Sequence, residues 1–231
     1  QRQNPPSMAI QNILEERLEK IFGDSVELSA SGRTDAGVHA LGQVVNFFTD
    51  GRIEAEKIPR AASGVLPPDI VVRDAWEADK YFSALHSAKS KIYSYRIQRG
   101  ATLNPFVERF AWHIRYPLDV EIMAATLKII EGEHDFSAFK AASSTHMNPV
   151  RTVYAAELFT ENIFGAEILG VRIHASGFLY HMARNIVAAA VEVGRHRLSL
   201  ERFEQIFASG NRNLFPATAP ANGLCLEKVF Y

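Results

Sequence analysis

Cysteine is almost absent from this chain of 231 residues, which contains only Cys225. An internal disulfide framework is therefore excluded, and the composition favours a reducing compartment such as the cytoplasm. Cysteine and histidine clusters with the spacing of zinc ligands are also missing. The sequence thus gives no indication of a zinc site.

Long apolar runs and an excess of one charge are absent as well. The longest apolar run, at residues 186–191, is too short to span a bilayer and is flanked by Arg184 and Glu192, so we expect no membrane association. The formal net charge is −1. Any nucleic-acid partner would therefore have to be bound by local basic patches.

What is present is a globular composition, with 47% hydrophobic residues arranged in two kinds of period. Helical spacing predicts helices at residues 54–62, 119–131, 178–193 and 200–208, and a first helix that Ser7 caps and Gly23 ends. Alternation and β-forming residues predict strands at 26–29, 42–49, 70–76, 82–99, 150–159, 166–175 and 223–230. We expect a loop at 132–139. We also expect Gly194 to be the residue that follows the helix predicted at 178–193.

The residue types of one charged stretch indicate a reactive site rather than core packing: Ser31-Gly32-Arg33-Thr34-Asp35-Ala36-Gly37-Val38-His39-Ala40. A guanidinium, a carboxylate and an imidazole fall within seven positions, and the predicted strand at 42–49 follows. We therefore expect a loop held by a sheet on its C-terminal side, where reactive groups commonly lie. The alternative is an ordinary turn, in which Asp35 bonds its own backbone and Arg33 forms a surface ion pair.

A second candidate, Tyr93, lies in a predicted strand that carries four basic residues and no acid: Lys89, Lys91, Arg96 and Arg99. A phenol ring flanked by cations suits stacking on a base beside phosphate groups. The alternative is that Tyr93 forms one face of a half-buried strand.

A third candidate, Arg184, lies on the helix predicted at 178–193, three positions after His181 and therefore on the same face. A guanidinium among apolar residues needs an anion, for which we propose Asp35, unless the side chain snorkels to solvent. The cluster Arg195-His196-Arg197 suits a phosphate patch or a solvated turn equally well.

Two of these stretches resemble a known family. Residues 32–39, Gly-Arg-Thr-Asp-Ala-Gly-Val-His, resemble the signature of the TruA family of tRNA pseudouridine synthases, and residues 178–187 resemble its second signature. The resemblance covers nearly the whole chain. It implies an α+β fold of two similar domains, each a mainly antiparallel sheet with helices on one face, with the active-site cleft between them. We place these domains at 1–80, with the Asp35 loop, and at 81–231, with the tyrosine and arginine of the cleft.

The resemblance also implies an activity. The chain would be a homodimer that isomerises uridine to pseudouridine in the anticodon stem-loop of tRNA, at tRNA nucleotides 38, 39 or 40, with no cofactor or metal. Asp35 would be the nucleophile, kept ionised by Arg33 and Arg184. Tyr93 would stack on the target base, and Leu224 would line its pocket. We predict RNA contacts for four further residues: His39, Lys89, Lys91 and His181.

Three alternatives stay open. The family has a strand and a short polar segment before the position that matches Gln1, and the sequence as given lacks both. The chain could therefore be a non-catalytic tRNA-binding or chaperone module, an inactive truncation. It could also be a hydrolase that uses Asp35 on another substrate, or a family member that modifies a different RNA position. Our expectation is a cytoplasmic enzyme of the bacterial type.

Overall fold

A computed structural model describes residues 9–51, 53–141, 148–215 and 218–231 of the chain. The helix cap expected at Ser7 lies outside these residues. The helices are α1 (Ile10–Phe22), α2 (Ile58–Ser63), α3 (Val120–Ile129), α4 (Met182–Gly194) and α5 (Leu200–Ser209). The strands are β1 (Ser29–Ala30), β2 (His39–Ala40), β3 (Val45–Asn46), β4 (Ser90–Arg99), β5 (Trp112–Ile114), β6 (Gly132–Asp135), β7 (Val150–Ile163), β8 (Ala166–Ala175) and β9 (Leu224–Phe230).

The described chain forms two compact units. The first comprises the described residues of Gln1–Thr34 and Gln43–Ala88, and the second comprises those of Asp35–Gly42 and Lys89–Tyr231. The charged stretch at 31–40 is thereby divided after Thr34. The domain division at residue 80, with its two similar domains, stays a prediction.

The first unit is organised on helix α1. Leu18 on its apolar face packs in a buried cluster with Val26 and Leu28. The carboxylate of Glu15, also buried, accepts the backbone N–H of Leu28 at 3.0 Å, so this polar group is satisfied. Gly23 ends the helix in the left-handed conformation at φ 78°, as the sequence predicted. Strands β1 and β3 pair antiparallel beside it.

The second unit contains a seven-stranded sheet in the order β2-β9-β4-β8-β7-β6, with β5 paired to β4. All pairings are antiparallel except β2 with β9 and β4 with β5. Side chains of the sheet and of α3, α4 and α5 share one buried core, which includes Tyr95, Ile97, Met123, Leu127, Val171, Ile173, Ile186 and Phe203. The predicted α+β class with a mainly antiparallel sheet is confirmed. Among the described helices, none combines the length and the apolar character needed to cross a bilayer.

Several predicted strands are wrong in extent. Residues 70–76 form no strand, and their apolar side chains Val71 and Trp76 are exposed. The strand predicted at 82–99 begins only at Ser90, the one predicted at 42–49 shrinks to β3, and the one predicted at 26–29 is β1. Alternation reports which side of a strand is apolar, but not whether a partner strand completes its hydrogen bonds.

Three local predictions around the α3 and α4 helices are also wrong. The loop predicted at 132–139 begins with strand β6, whose Gly132 lies opposite Val153 of β7. Gly194 is the last residue of α4 rather than the residue after it. A Cβ there would lie 2.5 Å from Cγ of Met123 on α3, so the absence of a side chain serves helix packing. Helix α4 also begins at Met182, four residues later than predicted.

The pairing of Gly170 on β8 with Phe159 on β7 yields a first test. A Cβ at Gly170 would overlap the Phe159 ring, which also carries the Arg172 guanidinium 4.5 Å from its centroid. We expect Gly170→Ala to lower the free energy of unfolding by about 1–3 kcal/mol, because the ring must move. Denaturant unfolding measures this loss.

Gly177→Ala is the matched control. Its Cβ would lie 3.4 Å from Nε of Arg151, an ordinary contact, so we expect a change below about 1 kcal/mol. Equal losses in the two variants would contradict the packing explanation.

Candidate active site

Asp35 stands at the first position of a tight turn. The N–H of Val38 donates to the Asp35 carbonyl at 3.0 Å, and Gly37 has φ 85°. A positive φ at the third residue is the geometry of a type II turn, which strongly favours glycine. Strand β2 then begins, with His39 opposite Cys225 of β9. The turn is therefore attached to the sheet within four residues of Asp35, as expected for a loop held on its C-terminal side.

The chain stays against β9 after β2. The N–H groups of Leu41 and Gly42 donate to the Leu226 carbonyl at 2.9 Å and 3.2 Å. A Cβ at Gly42 would overlap the carbonyl oxygen of Glu227. Glycine is thus required here for close backbone approach, which fixes the far end of the Asp35 loop.

Two side chains at the start of α4 converge on one oxygen of Asp35. Arg184 donates from Nη1 to Oδ2 at 2.8 Å, and Nε2 of His181 lies 3.1 Å from the same atom. Arg184 thus contacts the anion that the sequence predicted for it. Among the described residues of the second unit, none donates a hydrogen bond to Oδ1 of Asp35. Both of these contacts therefore fall on the same oxygen of the carboxylate.

Arg184 is also held by Ala219, in addition to Asp35. Its Nε donates to the Ala219 carbonyl at 2.7 Å, and the Ala219 N–H donates to the Arg184 carbonyl at 3.3 Å. The side chains of Arg184 and Asp35 are only 14% and 23% exposed. A planar guanidinium with two fixed acceptors retains little freedom. The positive end of the α4 dipole adds to the field that stabilises the carboxylate charge.

His181 adopts an unusual backbone conformation, with φ 64° at the residue that precedes α4. Such a conformation is uncommon for a residue other than glycine and is typical of functional positions. Burial lowers the pKa of His181 below its ordinary value of 6.5; Asp35 opposes this shift, while Arg184 and Arg212 add to it. The imidazole is therefore neutral at neutral pH. The RNA contact predicted for His181 stays a prediction. The contact with Asp35 was not predicted, although the three-residue spacing from Arg184 placed both side chains on one face of the predicted helix.

Tyr93 lies near this group on strand β4. Its partly buried ring meets Phe178 edge-on, with centroids 4.8 Å apart. Burial raises the pKa of the Tyr93 phenol well above its ordinary range, and the charges of Asp35 and Cys225 raise it further. The phenol therefore stays protonated at neutral pH. Leu224, which is 7% exposed, begins the neighbouring strand β9 and belongs to the core.

The residues predicted to bind RNA are not gathered around Asp35 in the same way. Nε2 of His39 lies 2.8 Å from the Arg109 carbonyl, and its ring packs on Phe110 with centroids 4.9 Å apart. Lys89 is exposed just before β4, and Lys91 is partly buried, which lowers its pKa. Their RNA contacts stay predictions.

The basic strand predicted around Tyr93 is partly neutralised. Arg96 pairs with Glu161 of β7 at 2.6 Å, and Arg99 pairs with Glu167 of β8. These glutamates come from distant parts of the sequence, so the absence of acids within the strand was misleading. Arg33 is exposed in the first unit, and its predicted role at Asp35 stays a prediction.

The cluster at residues 195–197 behaves as a structural turn. Arg195 pairs with Glu192 at 3.0 Å and packs over the Tyr116 ring at 4.6 Å, while Nε2 of His196 lies 3.4 Å from Oδ2 of Asp119. These contacts favour the turn over a phosphate patch. Over the described ranges, no group of three or more histidine, cysteine, aspartate or glutamate side chains is placed to hold a metal ion.

Known proteins resemble this chain in sequence. A family model described as tRNA pseudouridine synthase matches residues 1–85 and 127–231. The chain is 39% identical to tRNA pseudouridine synthase A of Lacticaseibacillus casei, over 98% of this chain and 92% of the relative. It is 40% identical to the protein of that name in Thermoanaerobacter sp. (97% and 91% covered) and 42% identical to the one in Moorella thermoacetica (93% and 85% covered).

The opposed influences on His181 give a test of the geometry. Because Asp35 raises the pKa of His181 and Arg184 lowers it, Asp35→Asn should lower that pKa further and Arg184→Met should raise it. NMR titration of the imidazole measures both shifts. Glu133→Gln, which neutralises an exposed carboxylate on β6, should leave the titration unchanged. Shifts of the same direction in the two site variants would contradict the arrangement.

Proposed function

Because the chain belongs to the tRNA pseudouridine synthase family, a family of isomerases, we propose that it converts uridine to pseudouridine in the anticodon stem-loop of tRNA, with Asp35 as the nucleophile. The observation that carries the proposal is the carboxylate of Asp35, whose Oδ2 is held by Arg184 at 2.8 Å and faced by a neutral His181 at 3.1 Å. A carboxylate whose direction is fixed by a guanidinium and an imidazole suits the role of a nucleophile.

The reaction is an isomerisation, so every atom of the uridine is retained except the exchanged hydrogen at C5. The target base leaves its stack to reach the carboxylate, which costs a few kcal/mol. Asp35 acts on the nucleotide and the glycosidic C–N bond breaks. The uracil then rotates and rejoins the sugar through C5, whose hydrogen leaves as a proton, while N1, released from the sugar, takes up a proton.

Each neighbouring residue has a physical role in this proposal. Arg184 keeps the carboxylate charged and oriented, and His181 can donate a hydrogen bond to it without adding a second positive charge. Tyr93 stacks on the uracil with a phenol that stays protonated, and Leu224 lines the base pocket. Arg33 supports the charge of Asp35.

The proposal extends to the macromolecular partner and the assembly. The tRNA is bound through exposed basic side chains such as Lys89, with Lys91 and His39 as further contacts. From the family resemblance, we also propose that the chain forms a homodimer and is located in the cytoplasm. The alternative, a non-catalytic module that binds tRNA, is tested by the following experiment.

The central prediction concerns Asp35→Asn, which keeps the size of the side chain but removes its charge. With tRNA tritiated at uracil C5, the parent chain should release tritium, because rejoining through C5 frees that hydrogen. The variant should lose turnover by more than about 1,000-fold, as expected when a nucleophile is removed. Its affinity for tRNA should stay within a few-fold.

Glu133→Gln is the control and should retain full turnover. Turnover retained by Asp35→Asn would remove Asp35 from the mechanism. A parent chain that binds tRNA but releases no tritium would favour the binding module.

A second prediction separates stacking by Tyr93 from proton transfer by it. Tyr93→Phe keeps the ring and should leave kcat within about tenfold of the parent value. Tyr93→Leu removes the aromatic face, whose stacking on a base is worth about 1–3 kcal/mol, so turnover should fall about 5- to 150-fold. Equal losses in both variants would instead assign a role to the hydroxyl group.

A further inference from the structure

A second polar cluster lies one residue further along α4 from Arg184. Its centre is Asn185, which is 0% exposed. Nδ2 of Asn185 donates to the Phe139 carbonyl at 2.6 Å. Its Oδ1 accepts from Thr218 Oγ1 at 2.7 Å and from Arg212 Nη2 at 3.2 Å. We call Asn185, Arg212 and Thr218 the amide cluster. A buried side-chain amide with this many partners has a single allowed orientation.

Arg212 is the unexpected member of the amide cluster. Its guanidinium also donates to Thr218 Oγ1 at 3.3 Å and to the Phe215 carbonyl at 3.0 Å. Every one of these acceptors is neutral, and among the described residues no carboxylate pairs with Arg212. Burial lowers the pKa of this guanidinium. A partly buried charge without a counter-ion is costly, which points to a use beyond general stability.

The amide cluster and the Asp35 site are joined by two pairs of adjacent residues. On α4, Arg184 belongs to the site and Asn185 to the cluster. On the opposite segment, Thr218 belongs to the cluster, and the Ala219 carbonyl accepts from Nε of Arg184 at 2.7 Å. The orientation of the Ala219 carbonyl therefore depends on how residue 218 is held against the helix.

We propose that Arg212 and Thr218, acting through Asn185, are positioning residues that hold the Ala219 carbonyl and thereby aim Arg184 at Asp35. This inference rests on the proposed function. The three cluster residues do not touch Asp35. Arg212 also acts on His181 through its charge, whereas the uncharged Thr218 and Asn185 act through the direction of the Arg184 guanidinium.

Thr218→Val is the decisive variant, because it keeps the shape of the side chain and removes the hydroxyl that binds Asn185. We expect kcat to fall about 3- to 30-fold, because the hydrogen bonds to Asn185 and from Arg212 are both lost, while KM for tRNA stays within about twofold. Thr218→Ser retains the hydroxyl and should restore kcat. Thr126→Val is the control, since it removes a threonine hydroxyl outside the amide cluster, which lies on α3 and donates to the Ile122 carbonyl at 2.8 Å. It should leave kcat unchanged.

A double-mutant cycle with Arg184→Met tests whether the effect passes through Arg184. If it does, Thr218→Val should cause little further loss of kcat in the Arg184→Met background. Independent, additive losses in the two backgrounds would overturn the positioning role.

A readout without turnover separates this inference from the proposed function. When Arg184 is no longer aimed at the site, its lowering effect on the pKa of His181 should weaken. NMR titration should therefore show a higher His181 pKa in Thr218→Val, shifted toward the Arg184→Met value, and the parent value in Thr218→Ser and Thr126→Val. An unchanged His181 pKa in Thr218→Val would overturn the inference even in a chain without synthase activity. Failure of the tritium assay with this shift present would overturn only the proposed function.

Discussion

The ion pair between Asp35 and Arg184 is the interaction on which the rest of the candidate site depends. Its partners are 149 residues apart in the chain and meet at 2.8 Å. Each side chain is mostly withdrawn from water, so the pair is stable only if its geometry is enforced. The type II turn at Gly37 enforces it on the Asp35 side, and the Ala219 carbonyl enforces it on the Arg184 side. The parallel pairing of β2 with β9 connects the turn to the sheet.

The charge balance at Asp35 suits a nucleophile better than full neutralisation would. Here the burial of His181, together with Arg184 and Arg212, keeps the imidazole neutral against the opposing effect of Asp35. Asp35 therefore faces one full positive charge and one neutral donor, both at Oδ2.

The sequence could predict those parts of the arrangement that depend on contiguous residues. The strings at 32–39 and 178–187 identify both halves of the ion pair, and alternation identifies β7 and β8. The short strands β2 and β5 were missed, because their parallel partners are remote in the sequence. The contact of His181 with Asp35 depends on a left-handed backbone that no local pattern announces. No sequence pattern marks Arg212 or Thr218, because their hydrogen bonds to Asn185 exist only in the folded chain.

The same reasoning limits how this chain can attract RNA. Of the four cations on and beside β4, Arg96 and Arg99 are engaged by glutamates of β7 and β8, and the whole chain carries a net charge of −1. Phosphate contacts position a nucleic acid without reading it, and each one contributes affinity through released counterions. Because two of these four cations are paired with glutamates, this strand offers fewer phosphate contacts than its sequence suggests. Under the proposed function, the shape of the RNA and the fit of the extruded base, rather than the charge of this strand, supply the selectivity.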